Sequence, residues 1–118
     1  MLMFPSGVKV FLATEPTNMR KSFTGLSLLV QDVLEQDPAS GHLFVFVNKR
    51  GNKVKILYWD RNGFAQWYKQ LARGLFRWPI VQHCASYPIT LSDLSLLLEG
   101  IDLADHQRLA TINQTTIN

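Results

Sequence analysis

Lys49, Arg50, Lys53, Lys55, Arg61, Lys69, Arg73 and Arg77 fall in one stretch of a 118-residue chain, and the same stretch holds a single acid, Asp60. Residues 49–77 therefore carry a formal charge of +7, against −1 for residues 1–48, −3 for residues 78–118 and +3 for the whole chain. Such a concentration repels itself unless something compensates it. The chemistry open to it is binding, by charge-assisted hydrogen bonds to phosphates or to an acidic protein surface. Lys53 and Lys55 taken alone are better explained as the solvated face of a strand, where lysine also guards against edge aggregation. Arg20 and Lys21 form a second basic pair. The pattern places them in the first turn of a helix, where the macrodipole disfavours cations, so an anion site and plain solvent exposure both stand open there.

Catalysis finds little support. Asp60 stands just before a predicted helix, where it reads as an N-cap or as the partner of Arg61 or Lys55 before it reads as an acid–base group. His42, His83 and His106 are far apart and lie in no metal-ligand spacing, and Cys84, the single cysteine, reads as a packing residue. Gly51 and Gly63 are isolated, so no glycine-rich phosphate loop is present. No catalytic residue, metal or cofactor is expected. Of the aromatic residues in the basic stretch, Phe64, Trp67 and Tyr68 have the spacing of a buried helix face, and Tyr58 shares a strand face with Val54 and Ile56; Trp59 and Trp78 are left as candidate stacking platforms.

The elements that must position these residues follow from periodicity. Val8–Ala13 predicts a strand, and Thr14–Thr17, with its proline, a turn. Asn18 is placed to cap a helix running to about Gln36, with Phe23, Leu26, Leu29, Val30, Val33 and Leu34 inward. Leu43–Val47 is apolar on both faces and predicts a strand in the middle of a sheet. In Lys53–Trp59 the lysines alternate with Val54, Ile56 and Tyr58, so one face is expected to meet solvent or ligand. The five-residue Asn48–Asn52 link makes these two strands a hairpin. A helix is then expected after Asp60 or Asn62, with Phe64, Trp67, Tyr68 and Leu71 on one face, Gln66, Lys69, Gln70 and Arg73 on the other, and Gly74 as its stop. Phe76–Pro79 and Tyr87–Thr90 are short extended candidates limited by proline, and Ser92–Glu99 is a last helix capped by Thr90 or Ser92.

The expected fold is a small α+β domain in the order β-α-β-β-α-(β)-α, with a mainly antiparallel sheet packed by helices. A strand between Arg77 and Thr90 would make the first six elements a split βαβ arrangement of ferredoxin type. A chain of this length fits one domain, 1–118, with a core at about 8–102 and a polar, frayed tail at about 111–118. No apolar run is long enough to span a bilayer and the N-terminus does not read as a signal peptide, so a cytoplasmic protein with no membrane contact is expected.

Longer words in the chain are familiar. Val10-Phe11-Leu12-Ala13-Thr14, Pro16-Thr17-Asn18-Met19-Arg20-Lys21-Ser22-Phe23, Gly25-Leu26, Asp37-Pro38, Ser40-Gly41-His42-Leu43-Phe44-Val45-Phe46 and Asn48 resemble the TnpB-type accessory proteins of the insertion-sequence-sixty-six group. The middle resembles them more closely, through Arg50-Gly51-Asn52-Lys53-Val54-Lys55-Ile56-Leu57-Tyr58-Trp59-Asp60, Gly63-Phe64, Trp67-Tyr68-Lys69, Leu71, Arg73-Gly74 and Phe76-Arg77-Trp78-Pro79. Leu94 with Leu97-Leu98-Glu99-Gly100-Ile101-Asp102 is similar to the family's closing helix, so the resemblance spans about residues 8–102. Asn18 and Arg61-Asn62 depart from the family's wording.

The resemblance implies a helper in DNA transposition, encoded beside a separate transposase that carries the acidic catalytic triad. It is distinct from the much larger RNA-guided nucleases that share the TnpB label. Two roles follow as expectations. In one, the chain binds DNA through a basic hairpin-helix surface made of the eight cations above, with Arg20 and Lys21. In the other, the same cations dock on the transposase without touching DNA.

Overall fold

In the computed structural model, which describes residues 4, 6–101 and 103, five strands and two helices follow one another as β1 (Val10–Ala13), α1 (Phe23–Asp32), β2 (Leu43–Val47), β3 (Lys53–Asp60), β4 (Gly63–Gln70), β5 (Ser86–Ile89) and α2 (Leu91–Leu98). The sheet order is β4-β3-β2-β1-β5. Only β1 and β2 run parallel, as the crossover through α1 requires, and the other three pairings are antiparallel. The expected α+β class with a mainly antiparallel sheet is therefore observed.

The all-apolar Leu43–Val47 segment takes the middle of the sheet and is buried at every position. Its two faces feed two separate cores. On one side Val10, Leu12, Leu43, Val45, Val54 and Ile56 pack with Phe76 and with Leu94, Leu97 and Leu98 of α2. On the other, Ala13, Phe44, Phe46 and Leu57 pack with Leu26, Val30 and Leu34 of the α1 region. Each helix thus covers one face of the sheet, and the period-2 alternation of the strands supplies apolar residues to both.

α2 starts one residue before the expected Ser92, with Thr90, one of the two expected caps, in place. Thr90 Oγ1 accepts the Asp93 N–H at 3.0 Å while the Asp93 carboxylate accepts the Thr90 N–H, and Gly100 (φ 85°) follows the helix. α1 is shorter than expected at both ends. Asn18 spends its side chain on an Asx turn, accepting the Arg20 N–H, and Ser22 is the first flanking residue instead. At the far end Glu35 turns left-handed (φ 55°), and the Gln36 N–H reaches back to the Val30 carbonyl. Phe23 and Val33, expected inward, are exposed. Arg20 and Lys21 consequently lie in the loop before the helix rather than in its first turn.

The largest correction is at residues 63–70. The expected helix there is a strand, β4, paired with β3 along its whole length from Lys53↔Gln70 to Asp60↔Gly63. Asp60 ends β3, Arg61 and Asn62 form a two-residue turn, and Gly74 (φ 78°) sits in a bend beyond the strand. The apolar spacing of Phe64, Trp67, Tyr68 and Leu71 suits a helix. The aromatic content and the Asn-Gly pair ahead of it suit a hairpin, and pairing with β3 decided between them. β5 does form, at an edge that tolerates Pro88. With a strand replacing the helix, and β1 paired directly with β2 with no strand inserted between them, the arrangement is not the split βαβ of ferredoxin type. The expected tail at 111–118 lies outside the described residues, as do Arg108 and His106.

Candidate nucleic-acid interface

The β2–β3 turn is built around one side chain. Asn48 Oδ1 accepts the backbone N–H groups of Gly51, Asn52 and Lys53, each at 3.0 Å, and Asn48 Nδ2 donates to Asn52 Oδ1 at 2.8 Å. Gly51, at φ 87°, supplies the left-handed step that this geometry needs. The turn holds its backbone polar groups inward and leaves Lys49 and Arg50 exposed at the tip.

Two anchors bring a second loop beside this tip. The Thr17 N–H donates to the carbonyl of Val47, the residue before Asn48, at 2.7 Å. Lys55 Nζ then donates to the Met19 carbonyl at 2.6 Å and the Lys21 carbonyl at 3.0 Å. Lys55 was expected on a free face. It is instead 6% exposed and acts as a tether under the 17–21 loop. Its ammonium also sits 5.1 Å from the ring centroid of Tyr68, its cross-strand partner on β4.

The outcome is an open cleft of about 620 Å³ lined by the 16–20 loop, by Asn48, Lys49, Arg50 and Lys53, and by Tyr68. Arg20, Lys49, Arg50 and Lys53 are its four cations, and no carboxylate is among the described residues that line it. Tyr68, expected in a helix core, is 48% exposed at its wall. The signal that could have found it is the strand alternation Phe64, Gln66, Tyr68, Gln70, which turns Tyr68 to the same face as Lys55. Of the expected platforms, Trp78 donates its indole N–H to the Ala13 carbonyl, and Trp59 packs edge-on against Phe64.

The remaining expected cations do not join this cleft. Lys69 lies on the opposite face of β4 and donates to the Leu98 carbonyl at the end of α2, where a cation complements the helix dipole. Lys21 lines a neighbouring recess with Glu15. Arg73 is exposed in the segment after β4, which is fastened to the hairpin by bonds from Leu71 N–H to Asn52 and from Phe76 N–H to Gly51. Arg77 lines a different groove, with Trp78, Ile80 and Asp93. Arg61 sits at the far end of β3, about 25 Å from Lys53 at the usual rise for eight residues. There burial, and then the Asp60 carboxylate, raise the pKa of the Tyr58 phenol above its ordinary value.

Cys84, expected to pack, is exposed. Among the described residues no three His, Cys, Asp or Glu side chains gather as a metal site, and no helix is long and apolar enough to cross a membrane.

A family model described as IS66 Orf2 like protein matches residues 8–108. The chain is 43% identical over 102 residues to Uncharacterized protein y4hO of Sinorhizobium fredii (strain NBRC 101917 / NGR234), covering 85% of this chain and 88% of that protein. It is 35% identical over 96 residues to Uncharacterized protein y4jC of the same strain, covering 81% of each. No solved structure matches it. The family carries a transposition-associated accessory role, and its match runs through both cores, the hairpin and the cleft. The chain belongs to the IS66 Orf2-like proteins.

Proposed function

We propose that the protein serves transposition by binding DNA phosphates in the cleft formed by the β2–β3 turn and the 16–20 loop. The observation that carries this reading is the convergence of Arg20, Lys49, Arg50 and Lys53, from two loops, on one open cleft with no acidic lining residue. Like charges held together by hydrogen bonds elsewhere in the fold are compensated best by a polyanion, and counterion release from that polyanion favours the complex.

Titration of a DNA fragment at several salt concentrations tests it. Four phosphate contacts give a slope of about −3.6 in log K against log salt, so raising salt from about 50 to about 200 mM weakens binding roughly a hundredfold. Replacing Arg20, Lys49, Arg50 and Lys53 together with glutamine abolishes binding and the slope, whereas Arg61→Gln leaves both nearly unchanged. A slope near zero, or full binding by the quadruple variant, overturns the reading.

A second reading, docking on the element's separate transposase, is favoured by another surface. In the groove between residues 75–80 and β5, Leu75, Ile80 and Tyr87 are 53%, 94% and 36% exposed. Co-purification with the transposase from nuclease-treated extract, by a chain that ignores DNA in isolation, selects this reading.

A further inference from the structure

Resting on the DNA-binding reading, we infer that the cleft takes an unpaired stretch of DNA rather than a duplex, with one base stacked on the ring of Tyr68. The ring is half exposed at the cleft wall, in a protein whose other strand-borne aromatic residues are mostly covered. It is also held still. The Lys55 ammonium lies 5.1 Å from its centroid and is itself fixed by the Met19 and Lys21 carbonyls. A ring oriented in advance loses little freedom on binding, and the exposed half is what it offers to a ligand.

The surroundings suit a single strand. Arg20, Lys49, Arg50 and Lys53 stand around the same cleft, where they reach the phosphates flanking a stacked base. A duplex keeps its base faces stacked inside the helix and presents only its phosphate rails, so it engages the cations and leaves Tyr68 unused. The cleft's asparagine oxygens are already occupied, Asn48 Oδ1 by three N–H groups and Asn18 Oδ1 by the Arg20 N–H. Recognition therefore rests on stacking and charge and tolerates any base.

Fluorescence anisotropy with a labelled mixed-sequence DNA strand, its duplex and the matching RNA strand, at one salt concentration, tests the inference. The single DNA strand is expected to bind most tightly. Tyr68→Phe keeps that preference, and Tyr68→Ala weakens single-strand binding about tenfold while duplex binding stays unchanged, which also shows that the variant is folded. A strand carrying 2-aminopurine gives a readout on the unaltered chain, its fluorescence falling on binding as the base stacks. Equal affinity for strand and duplex, no quenching, or tighter binding of RNA overturns this inference and leaves the DNA-binding reading in place. Absence of binding to every oligonucleotide overturns both.

Discussion

The turns at the two ends of β3 each expose an arginine, Arg50 at one and Arg61 at the other, and they are built differently. The Asn48–Asn52 turn closes on a single amide that takes three N–H groups, and the Thr17 and Lys55 bonds bring the Arg20 loop against it. The Arg61–Asn62 turn has two residues and puts Arg61 in the left-handed region at φ 55°, next to Asp60. One end of the strand gathers four cations and the other leaves a cation beside an acid. Charge along the chain already sets Lys49, Arg50 and Lys53 at the first turn against Asp60 and Arg61 at the second, but it does not place Arg20. That takes a neighbouring loop that hydrogen bonds pull in, and a turn stiff enough to hold its tip in place.

The comparison can be broken most strongly at Asn48. Asn48→Ala removes the acceptor of three N–H groups, and at about 1 kcal/mol net for each hydrogen bond the fold should lose roughly 2 to 3 kcal/mol. Chemical denaturation measures this directly. Asn62→Ala, in the other turn, should stay within about 0.5 kcal/mol, as surface substitutions usually do. A loss at Asn48 no larger than at Asn62 would mean that the amide does not organise the first turn.

Lys55 sharpens the contrast between the two buried-end lysines. Lys55→Met leaves the Met19 and Lys21 carbonyls without their donor and should cost about 2 kcal/mol, with weaker DNA binding because Arg20 loses its anchor. Lys69→Met should cost less, about 1 kcal/mol, since Lys69 serves one carbonyl, that of Leu98, rather than two. Equal losses in denaturant would remove the distinction between a tether and a cap. The smallest effect is expected at Arg61→Gly, which relieves the left-handed backbone and should raise stability by about 0.5 kcal/mol after the added freedom of the unfolded chain is counted. A measured loss there would show that the Arg61 side chain contributes to the fold.

The fold was legible where one signal stood alone. Leu43–Val47 had no polar face to offer, so it had to be the central strand, and a cap at Thr90 or Ser92 marked the start of α2, which the Thr90–Asp93 capping box then settled at Thr90. It was not legible at Gly63–Gln70, where the same apolar residues fit a helical stripe and a strand, and the antiparallel pairing with β3 settled the matter. That one error carried through to the site. Read as a helix, the segment buried Tyr68 and exposed Lys69; as a strand it turns Tyr68 to the cleft and Lys69 to the end of α2.

By itself the sequence determined the α+β class, the buried middle strand, the hairpin with basic residues at its tip and the family wording from Val10 to Asp102. These depend on local periodicity, turn chemistry and composition, which act between residues close in the chain. Only the tertiary structure decided which cations share a surface. Arg20 meets Lys49, Arg50 and Lys53 because Thr17 and Lys55 bridge loops far apart in sequence, and Lys55 withdraws from the surface to do so. A charge map records how many cations a segment holds, and a hydrogen bond across about 35 residues settles which of them a ligand can touch.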